Sequence, residues 1–306
     1  MENIKTVSLI GLGALGLLFA ESFASASLNE FRVIADKSRQ EKYKKEGLYN
    51  NDKELRFKMY TPEENCDPTD LLIFAVKYGQ LPQAIKDVKK HVGDNTIIIS
   101  LLNGISSEED IKAVYGDKVI GCTVQGMDAT KKGNRLYWKN MGNFTIGELY
   151  TDKITPRLKL VADFLTRANI PYTLVNDMRD RMWGKFMLNV GINQVVSVCE
   201  GNYGSVLKEG KERVRMINAM REVIPLAKAE GVKLDENDLL YWLDVIKPLS
   251  PKGMPSMRQD LLQKRKTEVD LFAGTVVKLG QKHNIPTPFN QALLEEIHEL
   301  EKNYNT

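Results

Sequence analysis

Two hydrophobic periods divide this chain. In the first half, short apolar runs alternate with stretches in which apolar residues recur every three or four positions, as buried strands alternate with the helices that cover them. Thr6–Ile10, Phe31–Ala35, Asp70–Val76 and Thr96–Leu102 are such runs, and their near-continuous hydrophobicity is that of parallel strands covered on both faces. The spacing predicts helices over Leu17–Ala26 and Gln80–His91, another strand near Val119–Val124, a hairpin across Gly133–Glu148, a helix over Ile154–Ala168 and a short strand at Tyr172–Val175. From about Asp177 helical spacing takes over: Trp183–Asn193, Arg213–Ala229, Leu239–Ile246, and a long helix from the Ser256 region to Gln281. The fold class predicted is α/β. A Rossmann-type, doubly wound parallel sheet is expected over residues 1–175, followed by an all-helical domain over residues 176–306.

Composition narrows the function classes. A chain of 306 residues with 42% hydrophobic content can bury two cores. Its net charge of +3 comes from interspersed acids and bases, so no electrostatic footprint for nucleic acid is expected. No run of ~18 apolar residues occurs, and the N-terminus shows no leader pattern, so the expectation is a cytoplasmic protein without a membrane partner. The three cysteines and three histidines are scattered, which predicts neither disulfides nor a metal site.

The first candidate chemistry follows the first strand. Gly11-Leu12-Gly13-Ala14-Leu15-Gly16 stands between a strand and a helix, the context in which this glycine spacing binds a dinucleotide. Gly11 permits a tight turn, Gly13 lets backbone approach a pyrophosphate, and Gly16 lets helix lie on strand. Asp36 falls twenty residues past Gly16, where an acid can grip the ribose hydroxyls of NAD, whereas the following Lys37, Ser38 and Arg39 suit the 2′-phosphate of NADP. Lys77 and Asn103 each end a strand, where ligands of open parallel sheets bind, although either residue also fits as the end of a turn.

The second candidate lies in the helical half. Lys185, Asn189 and Asn193 recur at every fourth position on an otherwise apolar helix, forming one polar stripe. Buried polar groups are costly and need a reason, although asparagines capping a neighbouring loop would supply one. A proline-rich loop, Pro248–Pro255, precedes Ser256, which also reads as a helix N-cap, and Glu268 on the helix that follows also reads as a surface partner of Lys264.

Taken in order, the glycine turn, Ala75-Val76-Lys77, Leu102-Asn103-Gly104, Lys185-x3-Asn189-x3-Asn193, Ser256-Met257-x2-Asp260, Thr267-Glu268 and Pro286-Thr287-Pro288 resemble the ketopantoate reductase family along the whole chain. The resemblance implies a helical second domain like the C-terminal domain of 6-phosphogluconate dehydrogenase. It also implies reduction of 2-dehydropantoate to (R)-pantoate with NADPH on the route to pantothenate and coenzyme A. By matching positions, Lys185 would be the catalytic lysine with Glu268 beside it, Asn103, Asn189, Asn193 and Ser256 would hold the 2-oxo acid, and Lys77, Asn103 and Glu268 would reach the cofactor. A homodimer is compatible with this reading. Because Asp36 precedes Lys37, NAD remains an alternative cofactor, and with it a mandelate-type D-2-hydroxyacid dehydrogenase of the same family. The β-hydroxyacid dehydrogenases rank lower because they lack the Thr267-Glu268 and Ser256-x3-Asp260 combination, and a non-catalytic dinucleotide sensor ranks lower because it does not explain Lys185 together with Glu268.

Overall fold

The computed structural model describes residues 2–302. Five parallel strands form its main sheet: β1 (Thr6–Ile10), β2 (Glu30–Ile34), β3 (Lys58–Tyr60), β4 (Leu71–Phe74) and β5 (Ile97–Ser100), in spatial order β3-β2-β1-β4-β5. The order reverses between β1 and β4, and crevices for ligands open at such a reversal beyond the carboxyl ends of the strands. β1 is central and wholly buried, with Leu9 level with Val33 on one side and Ile73 on the other. This is the doubly wound sheet that the apolar runs predict.

A second sheet takes β6 (Gly121–Gln125), β7 (Asn143–Gly147) and β8 (Tyr172–Leu174), with β7 antiparallel to β6 and parallel to β8. The hairpin expected across Gly133–Glu148 lies earlier, pairing Thr130–Lys132 with Arg135–Tyr137. Asn143–Gly147 leaves it because Phe144 and Ile146 alternate onto one face and are fully buried there. Phe144 meets Phe19 edge-to-face at 4.8 Å between ring centroids, and Phe23 of the same helix (Ala14–Ala26) stacks on Phe164 at 5.9 Å. These aromatic contacts fasten the glycine-turn helix to the core.

The chain divides into two compact units. One runs to Asn103 and resumes over Ser107–Met178; the other takes Gly104–Ser106 and the chain from Arg179 onward. The second unit is helical, and its central element is Met178–Val198. Gly184 and Gly191, two turns apart on one face of the helix, admit close neighbours. A Cβ on Gly184 would fall 2.3 Å from Trp242 Nε1, and one on Gly191 2.6 Å from Met220 Cγ. Glycine inside a helix costs roughly 1 kcal/mol relative to alanine, and this close packing is what the two glycines obtain in exchange.

Two expected helices are broken. Arg213–Ala229 is two helices, Lys211–Arg221 and Val223–Ala229. Pro225 has no N–H to donate, and its ring opposes the carbonyl of Arg221, so the helical hydrogen-bond ladder is interrupted at Glu222. The long helix to Gln281 is also interrupted: Ser256–Leu262 ends in a turn, a π-helical turn spans Asp270–Gly274, and Thr275–His283 follows. Lys264 takes a left-handed φ of 51°, and the Arg265 N–H returns to the Asp260 carbonyl at 2.9 Å, which closes the first helix. Among the described residues no helix is long and apolar enough to cross a membrane.

Candidate active site

The parallel sheet delivers four predicted groups to the carboxyl ends of its strands: the glycine turn after β1, Asp36 after β2, Lys77 after β4 and Asn103 after β5. The three glycines do different work. Gly11 has φ +99°, and a Cβ there would lie 2.5 Å from the Ala75 carbonyl oxygen; at Gly16 a Cβ would lie 2.0 Å from the carbonyl oxygen of Gly11. Both are demanded by the protein's own packing. Gly13 is not, because its Cβ would meet only Ala75 O at an ordinary 3.6 Å, and the residue is exposed. It is the N-cap of the helix Ala14–Ala26, offers no side-chain cap, and is followed by no acid in the first turn. Leu12 is buried, whereas Ala14 and Leu15 stand half-buried at the helix start. An open helix start where nothing inside requires the missing side chain is what a dinucleotide's phosphates require, so the residues present fit that group.

Asp36 already has a partner. Its Oδ1 accepts the Arg39 N–H at 2.8 Å as N-cap of the helix Lys37–Glu46, and Oδ2 faces the Arg39 guanidinium at 3.4 Å. Asp36, Lys37, Ser38 and Arg39 are all exposed. Lys77 is exposed at the start of a 3₁₀ turn, Tyr78–Gln80, and its carbonyl accepts the Gln80 N–H at 2.8 Å. Asn103 is half-buried.

In the helical unit the polar stripe is present as drawn from the spacing. Lys185 and Asn189 are half-buried and Asn193 is 5% exposed on Met178–Val198. The Asn193 Nδ2 donates to Asn189 Oδ1 at 3.2 Å, while its Oδ1 accepts the Ser256 hydroxyl and the Met257 N–H, each at 3.4 Å. Ser256 is therefore not the N-cap. It is the first residue of Ser256–Leu262, and the Asn193 amide receives the helix's free N–H instead. The capping reading of the asparagine stripe thus holds at Asn193. The proline-rich loop ahead of Ser256 is pinned: Tyr203 N–H donates to the Gly253 carbonyl and Gly204 N–H to that of Pro251, both at 2.9 Å. Burial pushes the Tyr203 phenol above its ordinary range, keeping it neutral.

Glu268 stands apart from its expected setting. It lies between the two helical pieces, so the helical surface pair with Lys264 does not exist. Its backbone carbonyl instead receives the N–H groups of Leu271 and Phe272 at 3.0 and 3.1 Å. The stretch before it is clamped: Arg265 pairs with buried Asp260 at 2.6 Å, and the Thr267 N–H donates to Glu301 Oε1 at 2.7 Å. Sequence reasoning missed these clamps, as it missed Gln194 and Asn290, both fully buried. Gln194 carried a signal, being one more amide on an apolar helix; Glu222, Asn290 and Glu301 carried none, because their partners come from distant helices.

Known proteins show the family to which the chain is related. Residues 7–150 match the family model described as "Ketopantoate reductase PanE/ApbA", and residues 177–301 match that described as "Ketopantoate reductase PanE/ApbA C terminal". The 2-dehydropantoate 2-reductase of Streptococcus pyogenes is 26% identical over 302 residues, 96% of this chain and 97% of that protein. The fold is shared with a PanE/ApbA family ketopantoate reductase from Ralstonia eutropha JMP134, at TM-score 0.82, 22% identity and coverage of 98% of this chain and 100% of that one. It is shared equally with a D-mandelate dehydrogenase solved with NADH and anilino(oxo)acetate, at TM-score 0.86, 23% identity and the same coverage. With both halves of the chain matched by the two models and nearly its full length by the relative, the protein belongs to the ketopantoate reductase family of oxidoreductases.

Proposed function

We propose that the protein reduces 2-dehydropantoate to (R)-pantoate with NADPH, the reductive step toward pantothenate and coenzyme A. The observation that carries this reading is the Lys185, Asn189, Asn193 stripe, whose last member is tied to Ser256 and to the start of the helix behind it. When bound, the nicotinamide supplies a hydride to the carbonyl carbon. The chain's own task is the carbonyl oxygen, which gains alkoxide character as the carbon is reduced. The Lys185 ammonium stabilises that charge and gives its proton to the oxygen, leaving a neutral amine that is reprotonated from solvent.

The other groups hold the substrate. Because Asn189 Oδ1 faces Asn193, its amide NH₂ is turned away from Asn193 and is available to a carboxylate oxygen. Ser256, which donates its hydroxyl proton to Asn193, keeps its oxygen lone pairs for the substrate's own hydroxyl. Glu268 accepts a hydrogen bond from that hydroxyl or orients the ammonium. The exposed turn at Gly13 takes the cofactor's phosphates, with Lys77 and Asn103 at the neighbouring strand ends to contact the rest of it.

A second reading rests on Asp36. A carboxylate fixed by the Arg39 N–H at the end of β2 is suited to ribose hydroxyls, which favours NADH and, with it, a D-2-hydroxyacid dehydrogenase of the mandelate type. Steady-state assays with NADPH and NADH, each against 2-dehydropantoate, benzoylformate and branched 2-oxo acids, separate the two. Lys185→Ala is expected to lower kcat by roughly 10²-fold or more while cofactor binding is retained. Near-normal turnover in that variant would remove Lys185 from the chemistry.

A further inference from the structure

Next to Asn193 on the lysine helix, Gln194 turns into the core, where it is fully buried with every polar atom engaged. Its Nε2 donates to the Val190 carbonyl at 2.7 Å and to Asn290 Oδ1 at 3.1 Å, and its Oε1 accepts the Ala273 N–H at 2.9 Å. Asn290, also fully buried, is fixed in turn: its Nδ2 donates to the Ala219 carbonyl at 3.0 Å and to Glu222 Oε2 at 2.7 Å. Glu222 further receives the N–H groups of Phe289 and Asn290, at 2.7 and 2.9 Å. The amide of Gln194 can therefore neither rotate nor shift without breaking bonds to two other elements.

What Gln194 grips is the π-helical turn. Widening a helix to this spacing displaces a backbone N–H from the usual ladder, and such turns recur at functional sites. Here Gly274 donates to the Val269 carbonyl at 3.0 Å, Leu271 and Phe272 donate to Glu268, and the Ala273 N–H goes to Gln194. One helix thus carries Lys185 and, through a side chain nine residues on, also holds the turn whose Leu271 and Phe272 N–H groups fix the backbone of Glu268.

We propose that Gln194 is a positioning residue, which sets the place of the Glu268 carboxylate by fastening the π-turn to the lysine helix. The inference rests on the reading of Lys185 and Glu268 as members of the reacting site. Losing the grip lets Glu268 drift, and a misplacement of order 1 Å in a reacting site costs up to about 10²-fold in rate.

The test is a double-mutant cycle on the full-length protein, reading kcat/KM for 2-dehydropantoate and, separately, NADPH affinity. Gln194→Met, of similar length but without acceptor or donor, is expected to lower kcat/KM by about tenfold to a hundredfold and to change NADPH affinity by no more than Glu268→Ala does. In a Glu268→Ala background it should cost almost nothing more, because its effect passes through Glu268. If Gln194→Met does not fold, Gln194→Asn, one methylene shorter but still an amide, runs the same cycle. Losses that multiply independently, or a Gln194→Met enzyme with wild-type kcat/KM, would each overturn the positioning role. A wild-type protein that reduces no 2-oxo acid with either coenzyme overturns the functional reading, and this inference with it.

Discussion

Replacing Gly13 by alanine separates what the glycine turn does for the fold from what it does for a ligand. The backbone at Gly13, φ −66° and ψ −160°, is open to any residue, and the added methyl would sit 3.6 Å from its nearest neighbour. Two small effects then oppose each other. Alanine is a poorer N-cap than glycine, at a cost of about 0.5–1 kcal/mol, while a less flexible unfolded chain returns about 0.4–1 kcal/mol. They cancel to within about 1 kcal/mol, or a shift of roughly 2–4 °C in Tm for a chain of this size. Binding has no such compensation. On the proposed placement of the phosphates, a methyl group at the exposed mouth of the helix start would push one off its N–H donors, and a charge-assisted hydrogen bond is worth about 1.5–3 kcal/mol. Affinity for NADPH and NADH should therefore fall by about tenfold to a hundredfold. Gly11→Ala is the contrast. With φ +99° and a Cβ placed 2.5 Å from Ala75 O, it should lower stability itself. Fluorescence titration with each nucleotide, beside thermal unfolding of the cofactor-free protein, measures both quantities. Wild-type affinity in a well-folded Gly13→Ala protein would refute the placement of the phosphates.

Two further outcomes are expected. Asp36→Ser keeps a cap for the Arg39 N–H but removes a carboxylate that repels a 2′-phosphate by about 1 kcal/mol per unit charge at 4 Å in water, so the ratio of kcat/KM with NADPH to that with NADH should rise about tenfold or more; an unchanged ratio would mean that Asp36 does not face the ribose. The second outcome concerns acid stability. His91 is fully buried, and burial, aided by the Arg32 guanidinium, lowers its pKa to about 4. The unfolded chain takes up this proton near pH 6.5 and the folded one only near pH 4, so stability should fall as pH drops through that window, by roughly 3 kcal/mol in total. Denaturant unfolding of the wild type and His91→Gln across this range checks it, and the variant's acid limb should be flatter.

Much of this protein is decided by sequence alone, wherever the deciding interaction is local. Strand β1, the glycine turn and its helix follow from contiguous residues, because an apolar run, a required positive φ at Gly11 and the helical period all act over a few positions. The Lys185, Asn189, Asn193 stripe is legible for the same reason: one helix sets the angles between its own side chains. Tertiary structure alone decided what those side chains meet. Nothing near Ser256 in the chain indicates that Asn193, 63 positions away, would take the capping role that serine resembles. The break before Glu268 likewise depends on Asp260 holding Arg265 and on Glu301 holding the Thr267 N–H. Helical spacing continues through that break, so the pattern reads as one helix. It is long-range partners, satisfying backbone groups that an unbroken helix would have satisfied itself, that turn the segment into a clamp and a wide turn.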